Sequence, residues 1–368
     1  MSLVRKSVVV LLTAAALLIA GVATYTYVRY QQLDDGVATD DVISPRPSAS
    51  SAPPVNGMNI LLIGLDSRTD NHGRPLPQAV LDELRAGEPD GQELADTMIL
   101  VHLPKDSARP ASAVSFPRDS YVDIAGGFGK HKINSAYARA KNAAADRLRA
   151  EGVTDDDRIA RESATEGRRN LIATISALTG VGIDHYAEVN LYGFSEITKA
   201  IGGIDVCLNN PVHDSYSGAD FPAGPQTLSG VDALKFVRQR HGLPGGDLDR
   251  IRRQQAFLAG VRDKITSAGM LTDPAATGRL IDAVSGSVLL DQGWDVADFA
   301  RRIQALAGSS VEFQTIPTGR SDLSTPDGSA VQVDPAQVKE FAKLWLADPP
   351  MNNAAGGGGA AAGPTCVN

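Results

Sequence analysis

Residues 59–65 read Asn-Ile-Leu-Leu-Ile-Gly-Leu, a short apolar run without polar alternation. Such a run is expected of a strand covered on both faces, and it delivers Asp66 at its C-terminal end. Residues 97–103, Thr-Met-Ile-Leu-Val-His-Leu, repeat the design with Asp96 just before them. If the two strands are antiparallel neighbours, Asp66 and Asp96 come together. The stretch between them, with LPQAVLDELRAG, reads as an inserted helix and loop rather than core. A third strand over 113–116 runs into Pro117-Arg118-Asp119, where the proline halts pairing just as Arg118 emerges. Helices are expected over 136–151 and 156–179, the second ended by Gly180. A strand over 185–191, a helix over 192–201 and a strand over 204–208 follow. Beyond the arginine-rich segment come helices over 253–268, 277–284 and 296–307, a strand over 310–315 and a closing helix over 335–347. Strands alternating with helices predict an α/β fold, a three-layer α-β-α domain with a central mixed sheet. No repeat or composition break divides it, so one domain is expected over 57–348.

The two ends differ from this body. Residues 7–28 are uncharged and mainly apolar, bounded by Lys6 and Arg29, and about 22 residues at 1.5 Å each span a bilayer as a helix. Arg5 and Lys6 favour a cytoplasmic 1–6 and place everything after Arg29 outside. A cleaved signal peptide is the competing reading, although Val22-Ala23-Thr24 is a poor cleavage site. Residues 29–56, rich in Ser, Pro and Ala, read as a flexible tether. Residues 349–368 form a Gly/Ala-rich tail carrying Cys366. In an oxidising space outside the cytoplasm, a disulfide between Cys207 and Cys366 would pin that tail to the domain, the alternative being two free thiols. With two cysteines and six scattered histidines, any metal should be a hard one held by carboxylates.

The net charge is −8, yet residues 236–257, FVRQRHGLPGGDLDRIRRQQAF, concentrate five arginines around a Pro-Gly-Gly turn. Arg238 and Arg240 share a face of an extended chain. Arg250, Arg253 and Gln254 share a helix face, with Arg252 off it and expected in solvent. Converging guanidinium forks suit a diphosphate; a solvated face paired by Asp247 and Asp249 is the other reading, and spacing does not choose between them. Asp66 and Asp96 offer the few carboxylates Mg²⁺ takes from protein while phosphates and water complete its shell. Against this, Asp66 could pair Arg68, and Arg118 could pair Asp119.

Taken together, NILLIGLDSR, DTMILVHL, SFPRDSYV, KINSAYARA, GVGIDHYAEVNLYGF, IGGIDVCL and AGPQTLSGVDALKFVRQRHGLPGGDLDRIRRQQAFL cover most of residues 58–260, and in this order they resemble the LytR-CpsA-Psr family of membrane-anchored cell-wall enzymes. The resemblance implies a phosphotransferase that moves a glycopolymer from a polyprenyl diphosphate carrier to the C6 hydroxyl of N-acetylmuramic acid in peptidoglycan, at the outer face of the cell membrane. It implies Asp66 and Asp96 as Mg²⁺ ligands, and Arg118, Arg238, Arg240, Arg250 and Gln254 as diphosphate-binding, with Lys132 and Arg253 near them. Asp66, Arg118 and Arg240 are the catalytic candidates; Arg68 and Asp247 support them. Ala95 stands where the family commonly has serine, and the insertion after Asp66 is long. Hydrolysis of the diphosphate by water and a non-catalytic lipid-binding or regulatory role are the alternatives. An acidic chain with no DNA-binding helix pair speaks against a nucleic-acid partner.

Overall fold

The computed structural model describes residues 37–43, 57–70, 73–87, 93–106, 109–239, 242–243, 247–267, 274–294, 311–347 and 365–368. In chain order its strands are β1 (Ala38–Asp40), β2 (Gly57–Asp66), β3 (Leu94–Pro104), β4 (Ala111–Ser115), β5 (Ser120–Ile124), β6 (Gly129–Lys132), β7 (His185–Asn190), β8 (Ile204–Leu208), β9 (Val212–Asp214), β10 (Ala219–Phe221), β11 (Gly224–Leu228), β12 (Val288–Asp291), β13 (Val311–Thr315), β14 (Leu323–Thr325), β15 (Gly328–Gln332) and β16 (Cys366–Val367). Its α-helices are α1 (Gln78–Leu84), α2 (Ala136–Ala150), α3 (Asp156–Thr179), α4 (Leu191–Ala200), α5 (Gly230–Arg238), α6 (Asp247–Ser267), α7 (Pro274–Ser285) and α8 (Pro335–Ala347).

The apolar run of residues 59–65 lies at the middle of a seven-stranded mixed sheet ordered β1-β12-β7-β2-β3-β4-β13. β2 pairs parallel with β7 and antiparallel with β3, so both faces of β2 must be covered, and helices cover them. Leu61, Ile63 and Leu65 join Met98 and Leu100 against Leu171, Ile175 and Leu178 of α3 and Val338, Ala342 and Trp345 of α8. Ile60 and Leu62 point the other way, to a cluster with Ala187, Val284 and Trp294. Fully burying one such aliphatic side chain contributes roughly 1.5–3 kcal/mol, and Leu61, Leu171 and Ile175 are each 0% exposed. A continuous apolar strand is therefore the centre of a three-layer domain, as its pattern requires.

Beside this sheet, β8 lies between β11 and β16 and is covered by α6. The approach is close at Gly260, where an added Cβ would sit 2.6 Å from Ile204 Cγ2 and 2.9 Å from the Asp205 carbonyl. β16 pairs parallel with β8 in the register Cys366 to Cys207, and these cysteines are joined in a disulfide. Asn209 N donates to the Val367 carbonyl at 2.8 Å. The last part of the tail is thus a strand of the fold.

Two boundaries differ from the sequence reading. Residues 37–43, read as tether, include β1, which pairs parallel with β12; Val37 and Val42 are buried and Arg168 holds Asp40 at 2.8 Å. The insertion after Asp66, read as lying off the core, buries Leu81, Leu84 and Ala86 with Val206, Leu234 and Phe236. Val80, Leu81 and Leu84 in a seven-residue helix are too short a period to advertise burial. The helix at α6 also begins six residues before its expected start at residue 253. The apolar run over 7–28, residues 29–36 and 44–56 of the tether, the helix over 296–307 and residues 348–364 lie outside the described residues. Among the described residues no helix is long and apolar enough to cross a membrane.

The disulfide closes a sequence separation of 159 residues. Cross-links over such loops contribute about 2–4 kcal/mol, so Cys366→Ser should lose about that much unfolding free energy and unfold at a lower urea concentration. A reducing agent should lower the wild type to the same midpoint and leave the variant unmoved; an unchanged midpoint in both would show that the cross-link contributes no stability.

Candidate active site

Asp66 and Asp96 face one cavity because of a break in the β2–β3 ladder. Gly64 pairs with Thr97 and Leu65 with Ala95, so the register shifts between Gly64 and Leu65 and leaves Asp96 as the extra residue. Strict alternation from Thr97 and Ile99 would turn Asp96 to the opposite face, beside Met98. The β-bulge instead puts it on the face of Thr97, and Asp66, Asp96, Thr97 and Ile99 all line one cavity. Ala95, on the other side of the bulge, is 0% exposed in the opposite core. Gly64 permits the close pairing, since a Cβ there would fall 2.9 Å from that of Thr97.

The cavity, about 210 Å³, lies between β2, β3 and β7 and helices α4, α5 and α6. Leu62, Val189, Phe194, Leu234, Val237 and Phe257 form apolar wall, and Asp66, Asp96, Arg238, Arg250 and Gln254 supply the polar groups. Arg238 ends α5; Arg250 and Gln254 lie one turn apart on α6. Arg250 Nη2 donates to the Asp96 carbonyl at 3.3 Å, and Gln254 Nε2 donates to Thr97 Oγ1 at 2.9 Å, so α6 is tied to the bulge from both positions. Arg118, in the loop after β4, donates from Nη1 to both carboxylate oxygens of Asp96 at 2.7 Å. Asp119 lies farther off, 3.8 Å from Arg118 Nε, so Asp96 is the closer of the two partners. Arg68 faces Asp66 at 3.3 Å, while its Nε and Nη2 donate to the Ala86 carbonyl; the insertion's end thereby holds the arginine that holds Asp66.

Two candidates take other places. Lys132 ends β6 and pairs with Asp119 at 3.3 Å, reaching Arg118 only through that carboxylate. Arg253 does not line the cavity: it is 0% exposed, donates from Nε to the Asn368 carbonyl and from Nη1 to Gln239 Oε1, and lies 5.1 Å from the centre of the Phe236 ring. Three residues along a helix turn a side chain by about 300°, and here that rotation carries Arg253 to β16 rather than to the cavity. Burial draws its guanidinium down to about 10, against the pull of Asp249 and Asp214, which still leaves a cation at neutral pH. Arg240 and the side chain of Asp247 lie outside the described residues. Arg252 is 65% exposed and pairs with Asp249 on its own helix.

The sequence reading passed over Asn190 and Glu188. Asn190 ends β7, accepts from Gly193 N at 2.7 Å as the N-cap of α4 and donates to the Thr69 carbonyl at 2.7 Å. Glu188 sits two residues earlier; Arg168 binds it at 2.9 and 3.0 Å and Tyr186 at 2.6 Å. Burial pushes the Glu188 carboxyl up, but the Arg168 guanidinium and these hydrogen bonds hold it below the ordinary carboxylate range. A glutamate inside an apolar strand was the available signal, because a buried charge requires a partner.

A family model described as the LytR_cpsA_psr family matches residues 25–344. The chain belongs to the LytR-CpsA-Psr family. It is 41% identical over 353 residues to "Cell wall biosynthesis protein LcpA" of Corynebacterium glutamicum, covering 94% of this chain and 66% of that protein. It is 31% identical over 216 residues to "Polyisoprenyl-teichoic acid--peptidoglycan teichoic acid transferase TagU" of Bacillus cereus, covering 58% of this chain and 55% of the relative. The chain therefore spans less than two thirds of the length of either. Among solved structures, the LytR-Csp2A-Psr enzyme from Actinomyces oris superposes with a TM-score of 0.57 at 20% identity, over 83% of this chain and 94% of that one, a likeness of fold. The α/β class with a central mixed sheet is thus common to this chain and the solved LytR-CpsA-Psr structure.

Since a Gly64 side chain would press on Thr97, Gly64→Ala should cost about 1–3 kcal/mol by overpacking. Adding Thr97→Gly should remove the clash and recover part of that loss in urea melts. If the double variant is destabilised by the sum of the two single effects, the contact is not what requires glycine.

Proposed function

We propose that the chain is a phosphotransferase that moves a glycopolymer from a polyprenyl diphosphate carrier to peptidoglycan, at the N-acetylmuramic acid C6 hydroxyl. The observation that carries this reading is one amphipathic cavity: apolar walls from three helices and the sheet, with paired carboxylates and arginines among its lining. A ligand with a hydrocarbon tail and a strongly anionic head matches both parts. Each buried CH₂ of such a tail contributes about 0.8 kcal/mol, and Arg118, Arg238 and Arg250 suit the phosphate oxygens. The names of the two relatives, which speak of cell-wall biosynthesis and of teichoic acid transfer to peptidoglycan, support the same direction.

In this reading the acceptor oxygen forms a new bond to the glycan-side phosphorus, the bridging P–O bond breaks, and polyprenyl monophosphate and a proton are released. Phosphoryl transfer requires chiefly positioning and charge neutralisation. Arg250 is held by the bulge carbonyl and Gln254 by Thr97, so these lining groups are set before substrate arrives, and Arg118, which is not itself a lining residue, reaches the site through Asp96. Two carboxylates among the lining of one cavity are the hard oxygen donors that Mg²⁺ accepts alongside substrate phosphates. Asp66 and Asp96 would hold it, and it would supply further neutralisation of the phosphate oxygens. Arg240 would add to the clamp. Residues 7–28 would anchor the chain with its domain outside the cell membrane, a placement supported by the charge flanking of that run and by a disulfide suited to an oxidising space.

Full chain in detergent micelles, supplied with lipid diphosphate glycan, Mg²⁺ and peptidoglycan, should form the phosphodiester and release polyprenyl monophosphate. Arg118→Ala and Arg250→Ala should each lower turnover on the order of 10² to 10³-fold, and chelating the metal should abolish it. Transfer by either variant at the wild-type rate would sink the assignment; release of carrier phosphate without glycan on the acceptor would make the protein a hydrolase.

A further inference from the structure

A second cavity, about 50 Å³, opens on the other side of β2's end, lined by Ser67, Thr69, Glu93, Lys141, Arg168 and Glu188 among others. That is several times the space one water requires. It shares Leu65 and Asn190 with the first cavity, so the two are separated by little more than those side chains. Ser67 directly follows Asp66, and Glu93 precedes Asp96 by three residues.

The polar groups around it are fixed. Lys141 binds Glu93 at 2.5 Å. Arg168 bridges Glu188 and Asp40 at 2.9 and 2.8 Å. Ser67 Oγ and Thr69 Oγ1 share a hydrogen at 2.6 Å. Tyr137, beneath the cavity, is fully buried, and burial pushes its hydroxyl well above the usual tyrosine range, leaving it a neutral hydrogen-bonding group. Carboxylates (Asp70, Glu93, Glu188) outnumber cations (Lys141, Arg168) in the lining, and both cations already have carboxylate partners. Such a lining disfavours a phosphate and suits uncharged hydroxyls, which both donate and accept among fixed carboxylates, amides and hydroxyls.

We infer that this cavity is the acceptor subsite, taking the hydroxyl-bearing edge of a sugar ring of the acceptor glycan beside the carboxylate end of the donor cavity. The inference rests on the phosphotransfer reading and assigns the donor and acceptor to opposite faces of one strand end. The test uses the full chain in detergent micelles with a soluble disaccharide-peptide fragment of peptidoglycan as acceptor. Ala160, exposed on α3, also lines this cavity, so Ala160→Phe blocks it from outside the core; Lys141→Met removes a lining charge. Both should raise the fragment's Kd and its acceptor KM at least tenfold, with donor KM and acceptor-independent donor cleavage within twofold of wild type. The melting temperature of Ala160→Phe should stay within a few degrees. Unchanged fragment binding in Ala160→Phe, absence of fragment binding to wild type, or donor and acceptor constants worsening together would overturn it. Should wild type cleave no donor at all, the phosphotransfer reading fails on its own, while the binding comparison still decides whether the fragment occupies this cavity.

Discussion

The β-bulge at Asp96 is the constraint on which the site depends. A regular ladder between β2 and β3 would bury Asp96 against Met98 and Leu100, where a carboxylate has no counterpart. With the shift at Gly64 and Leu65, Asp96 turns to the cavity, meets Arg118, and offers its backbone carbonyl to Arg250. Placing two carboxylates near each other is electrostatically unfavourable in a partly buried site. Arg68 and Arg118, each on a different carboxylate, offset that repulsion. The arginines are thus part of what makes the folded site possible before any ligand is considered.

Helix α6 links this site to the far end of the chain. One side of it carries Arg250 and Gln254 to the bulge; another carries Arg253 to the Asn368 carbonyl and Gln239. Leaving a buried charge without partners costs on the order of 3–5 kcal/mol, so the position of β16 and the rotation of α6 are coupled. A rotation that brought Arg253 to the cavity would strip it of those partners and withdraw Gln254 from Thr97. The disulfide at Cys207 and Cys366 adds a covalent limit on the same movement, since β8, which it fixes, lies directly under α6 at Gly260.

Much of this was legible where a single physical rule dominates. An apolar run with no alternation has to be central, and residues 59–65 and 97–103 are. Arg250 and Gln254, four apart, share a face on any helix. Arg253 was misread because spacing restricts direction only to a broad arc, and the partner that claims it lies 115 residues away. The bulge left no trace in DTM, because bulges arise from the fit between two strands rather than from either one. β1 was hidden for a similar reason: three residues beside a Ser/Pro-rich stretch become a strand only through β12 and Arg168. Glu188 was the legible exception that went unread, a charge in an apolar strand whose burial demanded the arginine found 20 residues before it.

The same Arg168 bears on how the domain stands relative to the proposed anchor. It binds Glu188 inside the sheet and Asp40 on the edge strand, and Arg169 donates to the Asp41 carbonyl at 2.6 and 3.0 Å. Residues 37–43 are consequently part of the folded body. Between the apolar run ending at residue 28 and this clamp there are only residues 29–36, whose fully extended length is at most about 29 Å. The stretch read as tether, 29–56, is therefore interrupted by described residues 37–43, which β12, Arg168 and Arg169 hold to the folded body.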